Sequence, residues 1–165
     1  MRRFDEYTFD LLQNRDIQRL ARRKAHHFAV NRLEHSLAAA KISYVVARML
    51  NADARICARA GVLHDWYFEE RNEHENRVGA NVHHYRISVA NARGIGESPA
   101  VLDVIEAHMW PYGGRAPSSL EGWIVWMADN ISWVTDGFKS LYRYRAKKVK
   151  YFIYGPSTQH ETHAS

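Results

Sequence analysis

Cysteine is nearly absent: Cys57 stands alone among 165 residues. An internal disulfide and a cysteine-rich zinc site are therefore both excluded. No apolar run approaches the ~20 residues that a membrane-crossing helix needs. The opening MRRFDEYTFDLL turns acidic straight after its basic start and leads into no apolar stretch, so no signal peptide is expected. A cytoplasmic protein is the resulting expectation. Alternating strand patterns are scarce and no internal repeat is visible, which argues against sheet architectures and solenoids.

Apolar residues make up 46% of the chain and five residues are Trp, enough for the core of one domain at this length. The formal charge is +5. Most of the imbalance comes from Lys139, Arg143, Arg145, Lys147, Lys148 and Lys150. Without them, acidic and basic residues nearly cancel. With Tyr142, Tyr144, Tyr151 and Phe152 interleaved, this stretch has the composition of a nucleic-acid-binding surface. The simpler reading, which we prefer, is a solvated helix end whose cations complement its dipole.

Helical periodicity runs along most of the sequence. A first polar-rich helix is expected near 5–25. Asn31 with Glu34 resembles a capping box opening a helix that reaches about Leu50. Asp53 caps another, ending near Trp66, and the polar stretch 67–78 reads as a surface loop. A helix from about Gly79 ends near the glycines at 94 and 96. Ser98 followed by Pro99 is a start signal, and that helix stops before Pro111. Ser118 with Glu121 opens a last helix to about 150, with a bend expected near Gly137. The polar stretch 155–165 is expected to be a disordered tail. The fold class is all-α, a single-domain bundle of about six helices over 1–154.

Several polar residues interrupt apolar stripes. His35 shares its face with Ala38, Ala39, Ile42, Val46 and Met49. His108 lies with Val101, Val104 and Ile105, and Asp129 with Val125, Trp126 and Trp133. His64 and Asp65 close the run AGVL. All five therefore point inward. An unpartnered buried carboxylate costs several kcal/mol or takes up a proton. A shared metal accounts for the whole set, because a cation offsets carboxylate charge and neutral imidazoles are common ligands. Adjacent His64 and Asp65 diverge by ~100° on a helix, but at a helix end both can lean into one pocket. The imidazole would then hold one ion and the carboxylate bridge to a second, ~3.5–4 Å away.

The ordered set His35, His64-Asp65, His84, His108, Asp129, in the contexts EHSLAAA, AGVLHDW and AHMWP, resembles the H…HD…H…H…D signature of the HD-domain metal-dependent phosphohydrolase superfamily, and small bacterial HD proteins in particular. The resemblance spans about 27–140. It implies an HD-type helical bundle. It also implies a first metal held by His35, His64, Asp65 and Asp129, and a second completed by His84 and His108, with Asp65 bridging. Asp65 and His64 are then the expected catalytic centre. Helical phase favours His83, on a stripe with Ala80, Ile87 and Ala90. The family pattern favours His84, four residues before Ser88, and His84 is our choice.

His27 and Arg115 are the candidate substrate-binding residues. His27 lies two turns before His35, and Arg115 lies in the Gly-Pro loop after His108, where its fork would suit phosphate; for both, an ordinary surface role is the competing reading. Trp66, Tyr67, Trp110 and Tyr112 follow ligand positions and could stack on a base, although aromatics at helix ends more often pack the core. The implied activity is metal-dependent hydrolysis of a nucleotide or related small phosphate ester. The expected cofactors are one or two divalent ions among Mn, Fe, Co, Ni and Zn. Two rival classes are an HD-fold diiron oxygenase, recognisable by colour and oxygen consumption after iron loading, and a non-catalytic nucleotide- or nucleic-acid-binding protein.

Overall fold

The structure is a computed structural model. It describes residues 3–22, 30–68 and 77–154, except for the side chains at 77–82, 140 and 143–154. Seven α-helices and one 3-10 turn, with no strand, make up the regular structure among the described residues. They are α1 (Phe4–Gln13), α2 (Arg15–Arg19), the turn Leu20–Arg22, α3 (Arg32–Met49), α4 (Ala54–Leu63), α5 (Arg77–Gly94), α6 (Pro99–Ala107) and α7 (Leu120–Tyr154).

Sequence signals at the helix starts do what they promise. Asn31 Oδ1 accepts the backbone N–H of Glu34, Asp53 Oδ1 those of Arg55 and Ile56, and Ser98 Oγ that of Val101. Each satisfies donors that the first turn leaves unpaired. The expected single helix over 5–25 is instead broken at Asn14. Its carboxamide oxygen accepts from the N–H groups of Asp16 and Ile17, so a second short helix starts there. The last helix is capped by Ser119, one residue later than expected, through a bond from Gly122 N–H. It runs unbroken through Gly137. The segment 155–165 lies outside the described residues.

The central helix is α4, which touches α1, α3, α6 and α7. Its residues from Cys57 through Leu63 are buried on every side, as expected of a helix apolar all round. Arg59 is the exception that needs neutralising. Its guanidinium donates to both oxygens of Asp10 (2.8 and 2.7 Å), to Glu97, and to the Tyr7 carbonyl (2.7 Å). This clamp fixes α1 and the turn after α5 to the middle of the bundle. The closest approach in the core is between α3 and α4. A Cβ on Gly61 would lie 2.5 Å from Ala40 Cα, so the absence of a side chain at 61 sets the helix spacing. That spacing places His64, three residues on, against His35.

Candidate metal centre

Three helices and two helix ends supply the polar residues of the core. His35 comes from α3, one turn after its start. His64 is the C-cap of α4, with Asp65 directly after it, and His108 is the C-cap of α6. His84 comes from α5, and Asp129 and Asp136 from α7. His35, His64, His84, His108 and Asp136 are buried, and Asp65 and Asp129 are partly so.

These side chains form two groups. In each, the potential ligand atoms lie within 4.8 Å of one another: His35, His64 and Asp129 in one, and Asp65, His84 and His108 in the other. The groups adjoin, with the His64 and His108 ring centroids 5.0 Å apart. All six residues expected to form the site are thus brought together. Asp65, expected to serve both ions, groups with His84 and His108. His83 is exposed while His84 is buried, so helical phase pointed to the wrong neighbour.

The hydrogen bonds around the rings determine which nitrogens face inward. His64 Nδ1–H donates to the Gly61 carbonyl at 2.9 Å, and His108 Nδ1–H to the Ile105 carbonyl at 2.6 Å. Both acceptors are last-turn carbonyls, three residues back, beyond the reach of regular intrahelical donors; that of Ile105 also accepts the backbone N–H of His108 at 3.4 Å. His35 Nδ1–H donates to Asp136 Oδ2 at 2.9 Å, and a carboxylate can only accept. With Nδ1 occupied in all three rings, the three Nε2 atoms turn toward the two inner carboxylates. His35 Nε2 is 2.9 Å and His64 Nε2 3.3 Å from Asp129 Oδ1. His84 Nε2 is 3.0 Å from both Asp65 Oδ1 and His108 Nε2. Two helix C-termini aimed at this point add partial negative charge.

Such a constellation calls for positive charge. Burial works against a charged His35. The bond to Asp129, the charges of Asp65 and Asp129 and the bond to Asp136 outweigh it, holding the imidazolium to about pH 9. His64 is raised despite its burial, by Asp129 and Asp65. Burial and the neighbouring His64 and His84 push His108 down to about 3, which leaves a neutral ring. Burial would raise both aspartates, but the surrounding histidines hold both below the usual carboxylate range. The donor set suits a divalent ion on a further ground. His64 Nε2 is fully buried yet has no well-formed hydrogen bond, even with Asp129 nearby. A buried polar atom left so is costly, and a cation among these donors would satisfy it. Four imidazoles and two carboxylates fit a borderline transition metal better than Mg or Ca.

Of the two expected substrate residues, His27 lies outside the described residues. Arg115 is not brought to either group: its guanidinium pairs with Asp103 and with Glu106, on α6, and donates to Ser118. The aromatics mostly pack. Trp110, Trp123 and Trp126 cluster, with Trp126 Nε1–H donating to the Trp110 carbonyl. Tyr67 is buried and stacks on His84 at 4.7 Å, and the Arg32 guanidinium sits 3.7 Å from the Tyr67 ring centroid. Arg32 and Asp136 were both missed by sequence reasoning. Each had a signal: Asp136 lies two turns after Asp129 on the same stripe, and Arg32 one turn before His35.

The HD domain family model matches residues 32–134. The chain belongs to the HD domain family. The matched span contains all six clustered residues and stops two short of Asp136. Ribonuclease Y of Desulforudis audaxviator (strain MP104C) is 35% identical over 105 residues, 64% of this chain and 19% of that protein. Ribonuclease Y of Bacillus subtilis (strain 168) is 31% identical over 113 residues, 68% of this chain and 20% of that protein. The chain therefore spans about a fifth of the length of these relatives. No solved structure matches it significantly. No helix among the described residues is long and apolar enough to cross a membrane.

Proposed function

We propose that this HD domain is a metal-dependent phosphohydrolase acting on a nucleotide or related phosphate ester. The observation that carries the reading is the pair of adjoining His/Asp groups whose outward ring nitrogens are tied to Gly61, Ile105 and Asp136. His35, His64 and Asp129 would hold one divalent ion, and Asp65, His84 and His108 a second. Ions bound there would polarise phosphate oxygens and lower the pKa of bound water toward ~7. The chain's own part is to keep three Nε2 atoms inward with Nδ1 tied behind them. It also balances the ions with two carboxylates that stay ionised at neutral pH, and it excludes bulk water from His64 and His108.

Asp65 follows a helix terminus, groups with His84 and His108, and its charge also acts on His64 and His35 of the other group, so its negative charge is the one the reaction would depend on most. Asp65→Asn should lower phosphate release by about 10²-fold or more, the scale expected on losing an electrostatic element of a metal site. The assay is metal analysis of purified protein, followed by phosphate release from nucleotides, cyclic nucleotides and sugar phosphates, with chelator controls. Near-normal turnover in the variant, or no hydrolysis by metal-loaded protein on any ester, would sink the reading.

A second substrate class is favoured by one observation, the similarity of the chain to proteins named ribonuclease Y. RNA phosphodiester cleavage is then the activity to test beside mononucleotides. Shortening of a labelled RNA with no release from mononucleotides would select it.

A further inference from the structure

The solvent side of α7 is built like a core. Leu120, Trp123, Ile131, Val134, Phe138 and Leu141 recur at helical spacing on the outer side of the helix, Trp123 at its edge against Trp110. Ile131 is 41%, Val134 49%, Leu141 50% and Phe138 69% exposed. A surface helix normally turns charged or polar residues outward. Here the charges on the same stretch face the other way: Glu121 accepts the Asp53 N–H, and Asp129 and Asp136 bond His35. From 120 to 138 the outer stripe carries no charge.

We propose that this stripe is the interface of a homodimer in which α7 packs antiparallel against α7 of a second copy. The first argument is area. A fully open aromatic side chain presents about 150–250 Å² and an aliphatic one somewhat less, so at their fractional exposures the six residues with neighbouring Tyr142 offer roughly 700 Å² of surface. That exceeds the ~300–600 Å² of the largest patch on a typical monomer and approaches the ~800 Å² per partner of a standard interface. The second is spacing. Intervals of three and four residues, with half-buried Met127 bridging Trp123 and Ile131, let one helix lay its ridge into the groove of another over about 30 Å.

Charge and composition select the occupant and its direction. An uncharged stripe meets its own copy without like-charge repulsion, as a self-complementary two-fold interface requires. Parallel pairing would set the two basic stretches, six cations each between 139 and 150, side by side. Antiparallel pairing separates them and brings Ile131 of each copy toward Phe138 of the other, with Val134 near the axis. The chain's own tail is no substitute, because GPSTQHETHAS contains no large apolar residue. A membrane surface suits the stripe less well, since such helices carry Lys and Arg along the polar face and α7 has none before Lys139.

Sedimentation velocity of the full chain from about 1 to about 100 μM tests this. A dimer is expected. Phe138→Glu should weaken it by about 10²-fold or more, because the two-fold axis places each change twice in the interface. Phe138→Leu should retain it. Neither change touches the metal centre, so metal content should equal that of wild type in both. Mixed Met127→Cys and Leu141→Cys chains should cross-link with each other under oxidation, the native Cys57 being buried. A monomer throughout the range, a dimer indifferent to Phe138→Glu, or a monomer that pellets only with anionic vesicles would each overturn the proposal.

Discussion

Asp136→Asn is the most informative single change, because Asp136 touches no group of its own in the proposed centre except through His35. The carboxylate accepts from His35 Nδ1–H at 2.9 Å, is buried, and has Lys139 Nζ 3.3 Å from its other oxygen. The amide can still accept that hydrogen, so shape and tautomer survive while the charge is lost. Hydrogen bonds to charged groups contribute about 1.5–3 kcal/mol against about 1 for neutral pairs. The difference, about 0.5–2 kcal/mol, corresponds to roughly tenfold weaker metal binding at ~1.4 kcal/mol per decade. Asp136→Ala removes the bond and frees the ring to rotate or change tautomer, so about 10²-fold is expected, the upper end for such supporting partners. Lys139→Ala should do little, because an ion pair with one exposed member contributes at most about 1 kcal/mol. Calorimetric titration of Mn or Zn into chelator-treated protein reads all three, with circular dichroism confirming the fold. Affinities of the Asn and Ala variants within about twofold of wild type would refute the claim that Asp136 orients His35.

Three further outcomes follow from the same geometry. His108→Ala should reduce metal stoichiometry from two to one by mass spectrometry without unfolding the chain; loss of both ions, or of neither, contradicts the division into two groups. Gly61→Ala would gain about 1 kcal/mol in helix propensity but must push Ala40 away, and overpacking of this kind costs typically 1–3 kcal/mol. A net fall in melting temperature is therefore expected, and a rise would show that α3 and α4 can part more easily than their spacing implies. Arg59→Met should lower stability by about 3–5 kcal/mol, because it leaves the carboxylate of Glu97 buried and unpaired; equilibrium denaturation that shows less than about 1 kcal/mol would mean that water reaches Glu97.

The helix starts were legible because capping is local chemistry: Asn31, Asp53 and Ser98 bond donors two or three residues away, and sequence spacing is all that requires. The split at Asn14 was not read, since a cap in mid-pattern looks like any polar residue on an exposed face. Position 84 shows a different limit. The buried side of α5 is formed by His84, Ser88 and Ala92, while Ala90 lies exposed. Small side chains pack the interior here, so hydrophobicity does not mark the face, and a phase judged on Ala80, Ile87 and Ala90 selects His83.

The centre was legible for the opposite reason. A histidine or aspartate on an apolar stripe is conspicuous because burial without a partner is costly, and five such residues from four helices require a common partner. The groups that orient them are harder to see. Two are backbone carbonyls, at Gly61 and Ile105, and these have no side-chain identity in any sequence. Their presence follows only once His64 and His108 are known to cap α4 and α6, where the last carbonyls of each helix lack intrahelical donors. The third, Asp136, precedes Gly137 and a basic stretch, where an acid reads as a solvated charge. Its phase with Asp129 was the available clue: seven residues are two turns, so both acids face His35, one toward each ring nitrogen. An imidazole held between two carboxylates keeps its proton on the outer nitrogen whichever cation occupies the inner side. The helix that supplies Asp129, the proposed ligand, would therefore also fix the ring that shares its ion.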